Sequence, residues 1–181
     1  MPSDMTPAIR DLLEKQAITE LVNSYSRAVD RHDFVLLRDL YTADGIDDHG
    51  GLYCGPADGF VAWLREAMKE VDTSHAVHNH TIAIDGDQAE GEVYVTAYNR
   101  IPNPEGGANE FIQGLRYLDK YRNEGGRWRF AHRTVVVDWA QLRPAFWDFD
   151  HPLLSGKRPA QPGPGDTSYD VLSSACFARR T

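Results

Sequence analysis

Cysteine is scarce in this chain. Only Cys54 and Cys176 occur in 181 residues, too few for a disulfide framework and wrongly spaced for a zinc site built on paired thiolates, so a reducing compartment is expected. Long apolar runs are also missing: no stretch approaches the ~20 residues that cross a bilayer. The opening MPSDMTPAIRDLLEKQ has neither the basic nor the apolar region of a secretion leader, and a cytoplasmic protein without a membrane partner is expected. Positive charge is in deficit. Nineteen Lys and Arg stand against 27 Asp and Glu, a net charge of −8, and the basic residues are scattered, which argues against nucleic acid as a partner. No GxGxxG, GxxxxGKS/T, GxSxG, HExxH or paired CxxC is present. The commonest dinucleotide, phosphate, serine-nucleophile and zinc-peptidase signatures are thereby absent, and no cofactor is implied.

What remains is the composition of one soluble domain, 41% hydrophobic and 25% charged, with a tail. Leu12, Leu13, Ile18, Leu21, Val22, Tyr25, Ala28 and Val29 recur at three- and four-residue steps and predict a helix over 8–31, started by Thr6 and Pro7. A short helix is expected over 33–41, an extended piece over 46–55, and a third helix over 56–71 with Phe60, Trp63, Leu64, Ala67 and Met68 on one side. From residue 74 the period drops to two, predicting strands at 74–85, 88–101, 110–123 and 127–140, joined at Gly86-Asp87, at a Pro- and Gly-rich loop over 102–109, and between Asn123 and Gly126. Three helices followed by a curved antiparallel sheet imply an α+β domain over 1–141, whose sheet can close into a cone with a pocket inside. Residues 142–181 are rich in Pro and Gly but carry Phe146, Trp147, Phe149, Leu153 and Leu154. Such an extension should pack on its own domain or on a neighbouring subunit.

Two segments carry the chemistry. SYSRAVDRHD places Asp30 at the margin of the first helix's apolar stripe, and SHAVHNHTIAIDGD opens the sheet with His75. A carboxylate that orients an imidazole is the minimum equipment for moving a proton without a cofactor. Strict alternation puts His75 and Asn79 on one strand face and His78 with His80 on the other. The latter two could ligate a metal together with Asp85 or Glu90, but no third ligand stands at a familiar spacing, so solvated or hydrogen-bonded histidines are the plainer reading and no metal is assigned. On the last strand Arg133 lies among apolar neighbours, where a cation is costly unless paired. It serves either an ion pair with an acid of the first helices or the stabilisation of a developing anion. Tyr25, Tyr53, Trp63, Tyr94 and Tyr98 are core aromatics or pocket walls. Tyr25 shares the helix of Asp30 and could donate a phenolic hydrogen bond. His49, in the acidic turn with Asp47 and Asp48, could add a polar group near the pocket; Tyr53, Trp63, Asn79, Tyr98 and His49 are the candidates for substrate contact.

Taken together, AITELVNSYSRAVDRHDFVLLRDLYTADGIDDHG, GPADGFVAWL, HAVHNHTIAIDGDQAEGEVY and GGRWRFAHRTVVV resemble the SnoaL-like branch of the nuclear transport factor 2 superfamily, over roughly residues 8–140. The resemblance implies that family's cone-shaped, cystatin-like α+β barrel. Its helix Asp and the His of an HxxxN pattern form the catalytic dyad in hexachlorocyclohexane dehydrochlorinase, scytalone dehydratase and bile-acid dehydratase, and they fall here on Asp30 and His75. Arg133 matches a pocket arginine of the dehydrochlorinase. Tyr25 matches a pocket tyrosine of the bile-acid enzyme, where the dehydrochlorinase has a lysine. The expected activity is that of a cofactor-independent lyase that expels water, halide or formaldehyde from a hydrophobic aromatic or polycyclic molecule. An isomerase using the same dyad and a non-catalytic binding module are the alternatives, because the fold hosts all three. Relatives are often trimers or dimers, and a homotrimer is expected.

Overall fold

A computed structural model of the chain describes residues 6–145, 152, 154–178 and 180. Helix α1 (Pro7–Asp30) starts where Thr6 accepts the Ile9 N–H and Pro7 fills the first turn, where a missing N–H costs nothing. Its buried stripe runs Ile18, Leu21, Val22, Tyr25, Ala28, Val29. Leu12 and Leu13, expected in that stripe, are exposed; at this end of the helix Glu14 meets the sheet instead, accepting the Trp128 indole N–H at 2.5 Å. The helix ends as His32 adopts φ 51°, a left-handed conformation that brings the Asp33 N–H onto the Ala28 carbonyl at 2.9 Å. Asp33 then caps α2 (Phe34–Asp39) by accepting the Leu36 N–H at 2.9 Å. Two short strands follow, β1 (Tyr41–Asp48) and β2 (Cys54–Pro56), then α3 (Ala57–Ala67). The strands expected from residue 74 onward are β3 (Asp72–Asp85), β4 (Gln88–Pro102), β5 (Ala108–Glu124) and β6 (Arg127–Pro144).

The six strands form one curved, unclosed sheet in the order β2-β1-β6-β5-β4-β3. Every pairing is antiparallel except β1 with β6, which run parallel and set Asp47 beside Arg133. The expectation of a purely antiparallel sheet is corrected at this point: the helical crossover between β1 and the rest allows parallel pairing. Along the inner face, Val93, Val95 and Ala97 of β4 and Leu115, Tyr117 and Tyr121 of β5 alternate inward against Ile18, Val22, Tyr25, Leu37 and Phe60. Each fully buried large side chain contributes about 1.5–3 kcal/mol. Among the described residues no helix is long and apolar enough to cross a membrane.

Beyond β6, the described part of the chain touches α1 from outside. The Gly163 N–H donates to the Arg31 carbonyl (3.0 Å), and Arg31 pairs with Asp166 (3.1 Å). Arg27 lies 5.3 Å from the ring centroids of both Tyr169 and Phe177. Phe146, Trp147, Phe149 and Leu153 lie outside the described residues.

Candidate active site

The end of α1 and the start of β3 meet at Asp30. Its carboxylate accepts three donors: the Thr73 hydroxyl (2.8 Å) and the His75 ring at Nδ1 (2.6 Å) on Oδ1, and the His75 backbone N–H (3.0 Å) on Oδ2. Burial alone would raise the Asp30 carboxyl, but the hydrogen bonds and charge of His75, with help from Thr73, outweigh it and hold the group below its ordinary value. An ionised carboxylate can only accept, so Nδ1 of the His75 ring carries a proton and donates it to Asp30. Both side chains are nearly closed off, at 9% and 12% exposure. They border a groove of about 310 Å³ with Asn23, Ser26, Arg27, Arg31 and Val77.

Deeper in, Arg133 is fully buried. Its fork donates twice to Asp119, Nε to Oδ1 at 2.8 Å and Nη2 to Oδ2 at 2.7 Å. Burial by itself would lower the guanidinium, but the Asp119 charge outweighs it and keeps the group protonated. The cation lies 4.0, 4.1 and 4.2 Å from the ring centroids of Tyr25, Tyr117 and Phe130, a desolvated cation–π cage. Its Nη1 is buried with no hydrogen-bond partner. The Tyr121 hydroxyl donates to Asp119 (2.8 Å) and lies 3.2 Å from His80 Nε2, which extends the network outward along the inner face.

On β1, beside Arg133, Asp47 is also fully buried. It accepts the Tyr41 hydroxyl at 2.5 Å on Oδ2 and the His49 ring at Nδ1 on Oδ1. His49 stacks on Phe60 with centroids 5.0 Å apart, and Tyr53 and Trp63 stack beside it at 5.9 Å.

The sequence profile of the SnoaL-like domain matches residues 10–134. The chain belongs to that family. No curated protein sequence matches it. Among solved structures, the SnoaL-like chain is similar to a hexachlorocyclohexane dehydrochlorinase, LinA type 2, with a TM-score of 0.67 and 15% identity over 78% of this chain and 96% of that one. It is similar to a putative scytalone dehydratase from Novosphingobium aromaticivorans, with a TM-score of 0.65 and 22% identity over 75% and 93%. A putative aromatic ring hydroxylase from the same organism gives 0.64 and 21% over 77% and 96%. At such identities the likeness shows a shared fold.

Within this SnoaL-like domain several sequence expectations need correction, and two β-bulges account for most of them. The pairing of β3 with β4 shifts between Val77 and His80. One extra residue reverses the alternation, so His75 and Val77 face inward, Asn79 is exposed, and His80 turns inward while His78 faces out to bond Thr96 at 2.9 Å. Asn79 therefore does not share the face of His75, and His78 and His80 do not form a pair. On β6 a shift between Phe130 and His132 brings Arg133 onto the same face as Trp128 and Phe130. The acid opposite Arg133 comes from β5, not from a helix as expected. Tyr98 stands opposite Ser74, one residue out of phase with the His75 and Ala97 pair. It thus leaves the face of His75, and its hydroxyl donates to Glu110 at 3.3 Å. Tyr25 is buried at 2% exposure and reaches the site as one wall of the Arg133 cage. The Tyr53 hydroxyl donates to the Pro56 carbonyl at 2.7 Å, leaving its ring as the surface toward Trp63. Asp119 escaped the sequence reading, although the inward row Leu115, Tyr117, Asp119, Tyr121 shows it as one acid in an apolar alternation.

Proposed function

We propose that the chain is a cofactor-independent lyase acting on a hydrophobic aromatic or polycyclic small molecule. The observation that carries this reading is the Asp30 and His75 pair: a nearly buried imidazole whose Nδ1 is fixed by an ionised carboxylate and whose Nε2 makes no hydrogen bond among the described residues. His75 Nε2 takes a proton from substrate carbon. Asp30 holds the ring and stabilises the imidazolium that forms, the usual work of a carboxylate behind a histidine base. As the carbon–hydrogen electron pair becomes a double bond, the leaving group departs with the charge. Arg133 supports the developing anion through the positive field around its unpartnered Nη1, and Tyr25 keeps that cation in place.

The test is turnover of aromatic β-hydroxy and β-halo ketones followed by mass spectrometry of the product. Loss of water or hydrogen halide supports the lyase, an isomer of unchanged mass supports proton return by the same dyad, and binding without turnover supports a ligand-binding module.

The outer face of the sheet carries exposed Tyr94 and Leu118 beside a groove of about 420 Å³ lined by Thr81, Glu90, Glu92, His132 and Thr134. We propose that this face packs against further copies of the chain as a homotrimer in the cytoplasm, its apolar centre rimmed by charge as in other subunit interfaces. Sedimentation equilibrium checks this: a trimer is expected for the native chain and a monomer for Leu118→Glu, whereas a native monomer contradicts it.

A further inference from the structure

The groove at the dyad holds two further groups on the same side of α1. Ser26 and Arg27 precede Asp30 by four and three positions, the spacings that bring helical side chains together, and both line the groove that His75 borders. Ser26 is buried at 5% exposure, and its hydroxyl has no hydrogen-bond partner. A helical serine can satisfy itself on the carbonyl a turn back, and this one does not. An orphaned hydroxyl in a cavity wall is unfavourable unless something that enters the cavity accepts its hydrogen bond.

Two guanidiniums rim the groove, and only one is neutralised. Arg31 pairs with Asp166 at 3.1 Å. Arg27 pairs with no carboxylate among the described residues: its Nη1 and Nη2 donate over 3.4 Å to the Ser168 hydroxyl and the Phe177 carbonyl, beside the rings of Tyr169 and Phe177. The C-terminal segment therefore steadies the fork without cancelling its charge. Two long bonds leave most of its five N–H donors for a ligand. Asp30, the acid in the groove, is already matched by the Thr73 hydroxyl and by two donors of His75. An unmatched cation and an idle hydroxyl beside a proton-transfer pair make a seat for a carboxylate with a carbonyl next to it.

We propose that the groove takes an aromatic 2-oxo acid, held through its carboxylate by Arg27 and through its ketone oxygen by Ser26. This rests on the lyase reading and names its substrate class. Val77 offers the groove's apolar surface to the rest of the molecule. His75 Nε2 removes a proton from C3, and the electron pair moves onto the ketone oxygen, where the Ser26 hydroxyl and the Arg27 charge meet the enolate. As the carbonyl re-forms, the C3–C4 double bond closes and the C4–oxygen bond breaks; the hydroxyl takes the proton back from His75 Nε2 and leaves as water. His75 ends neutral, so one imidazole serves both halves of the reaction.

Paired substrates test the assignment: 4-hydroxy-2-oxo-4-phenylbutanoate, and 4-hydroxy-4-phenylbutan-2-one, which carries a methyl group in place of the carboxylate. Arg27→Gln is expected to lower kcat/KM for the acid by about 30-fold, chiefly through KM, and that for the ketone by less than about threefold, while Arg27→Lys keeps most of the preference. Ser26→Ala should lower kcat about tenfold on both substrates, and an unchanged kcat overturns the serine's part. A merely structural role for Arg27, in docking the C-terminal segment, predicts equal losses on both substrates. Equal losses, no loss, or turnover of the ketone alone overturn the assignment. If the acid alone is turned over, activity lost with Gln and kept with Lys upholds it, and equal loss in both variants overturns it. If the native protein turns over neither substrate, the lyase reading fails for this class, and calorimetry with the two products, 2-oxo-4-phenylbut-3-enoate and benzalacetone, decides the rest. Tighter binding of the acid, lost in Arg27→Gln, upholds the anion seat; equal affinities, or no binding of either, overturn it.

Discussion

Asp30 holds His75 twice, once through the ring and once through the backbone N–H, so one carboxylate both aims the imidazole and ties the start of β3 to the end of α1. Asn in its place keeps a single acceptor oxygen for three donors. Asp30→Asn is expected to lower kcat by on the order of a hundredfold or more, with KM nearly unchanged, because the imidazolium loses its counter-charge while the groove keeps its shape. The same change should cost about 1–3 kcal/mol of stability through the unmatched N–H. Steady-state kinetics and urea unfolding check the two halves separately.

The Asp30 carboxyl also sets an acid limit to stability. Its folded value lies below the ordinary 3.8, so the unfolded chain binds the proton more readily than the native one. The stabilisation is fully present above that ordinary value and fades as pH falls through the range beneath it. Unfolding free energy measured from pH 6 down to pH 2 should therefore fall less steeply in Asp30→Asn than in the native chain. A parallel acid limb in both would place the loss in other carboxylates, such as Asp39 and Asp166, which are lowered as well.

Arg133 and Asp119 form a pair at 0% side-chain exposure. Arg133→Met leaves Asp119 charged and uncompensated in the interior and should cost about 3–5 kcal/mol in denaturant unfolding. Adding Asp119→Leu should recover much of that loss, because the single change fails through an orphaned charge and not through missing volume. Lys at position 133 keeps the charge but not the fork, and is expected to fall between the two.

Gly91 faces His80 across the β3 and β4 pairing. A Cβ there would stand 2.8 Å from His80 Nε2, 3.0 Å from the Thr81 carbonyl and 3.2 Å from Tyr121. The backbone carbonyl cannot give way easily, so Gly91→Ala should destabilise the fold by about 1–3 kcal/mol, read as a lowered unfolding midpoint.

The long first helix and the four long strands of the second half were legible because periods of 3.6 and 2 mark them, whereas β1, which begins at Tyr41 between α2 and α3 and joins the same sheet, was read only as a short extended piece from residue 46. The Asp30 and His75 meeting was legible only through family resemblance, since no local pattern tells that α1 and β3 touch. What stayed hidden is the orientation of residues beyond a bulge. One inserted residue reverses every later side chain on a strand, and the bulges near Asn79 and Ala131 leave no mark in residue types. Asp47 was hidden for another reason: in the run Asp47, Asp48, His49 it looks like part of a polar turn, and only the parallel pairing with β6 turns it inward beside Arg133.

The most direct measurement of the central claim is the rate of water release from 4-hydroxy-4-phenylbutan-2-one, or of chloride release from 4-chloro-4-phenylbutan-2-one, by native protein and by His75→Gln at equal concentration. The account predicts release above the uncatalysed rate for the native chain on at least one substrate, and a fall to background for the variant. Release by the variant at the native rate would contradict it.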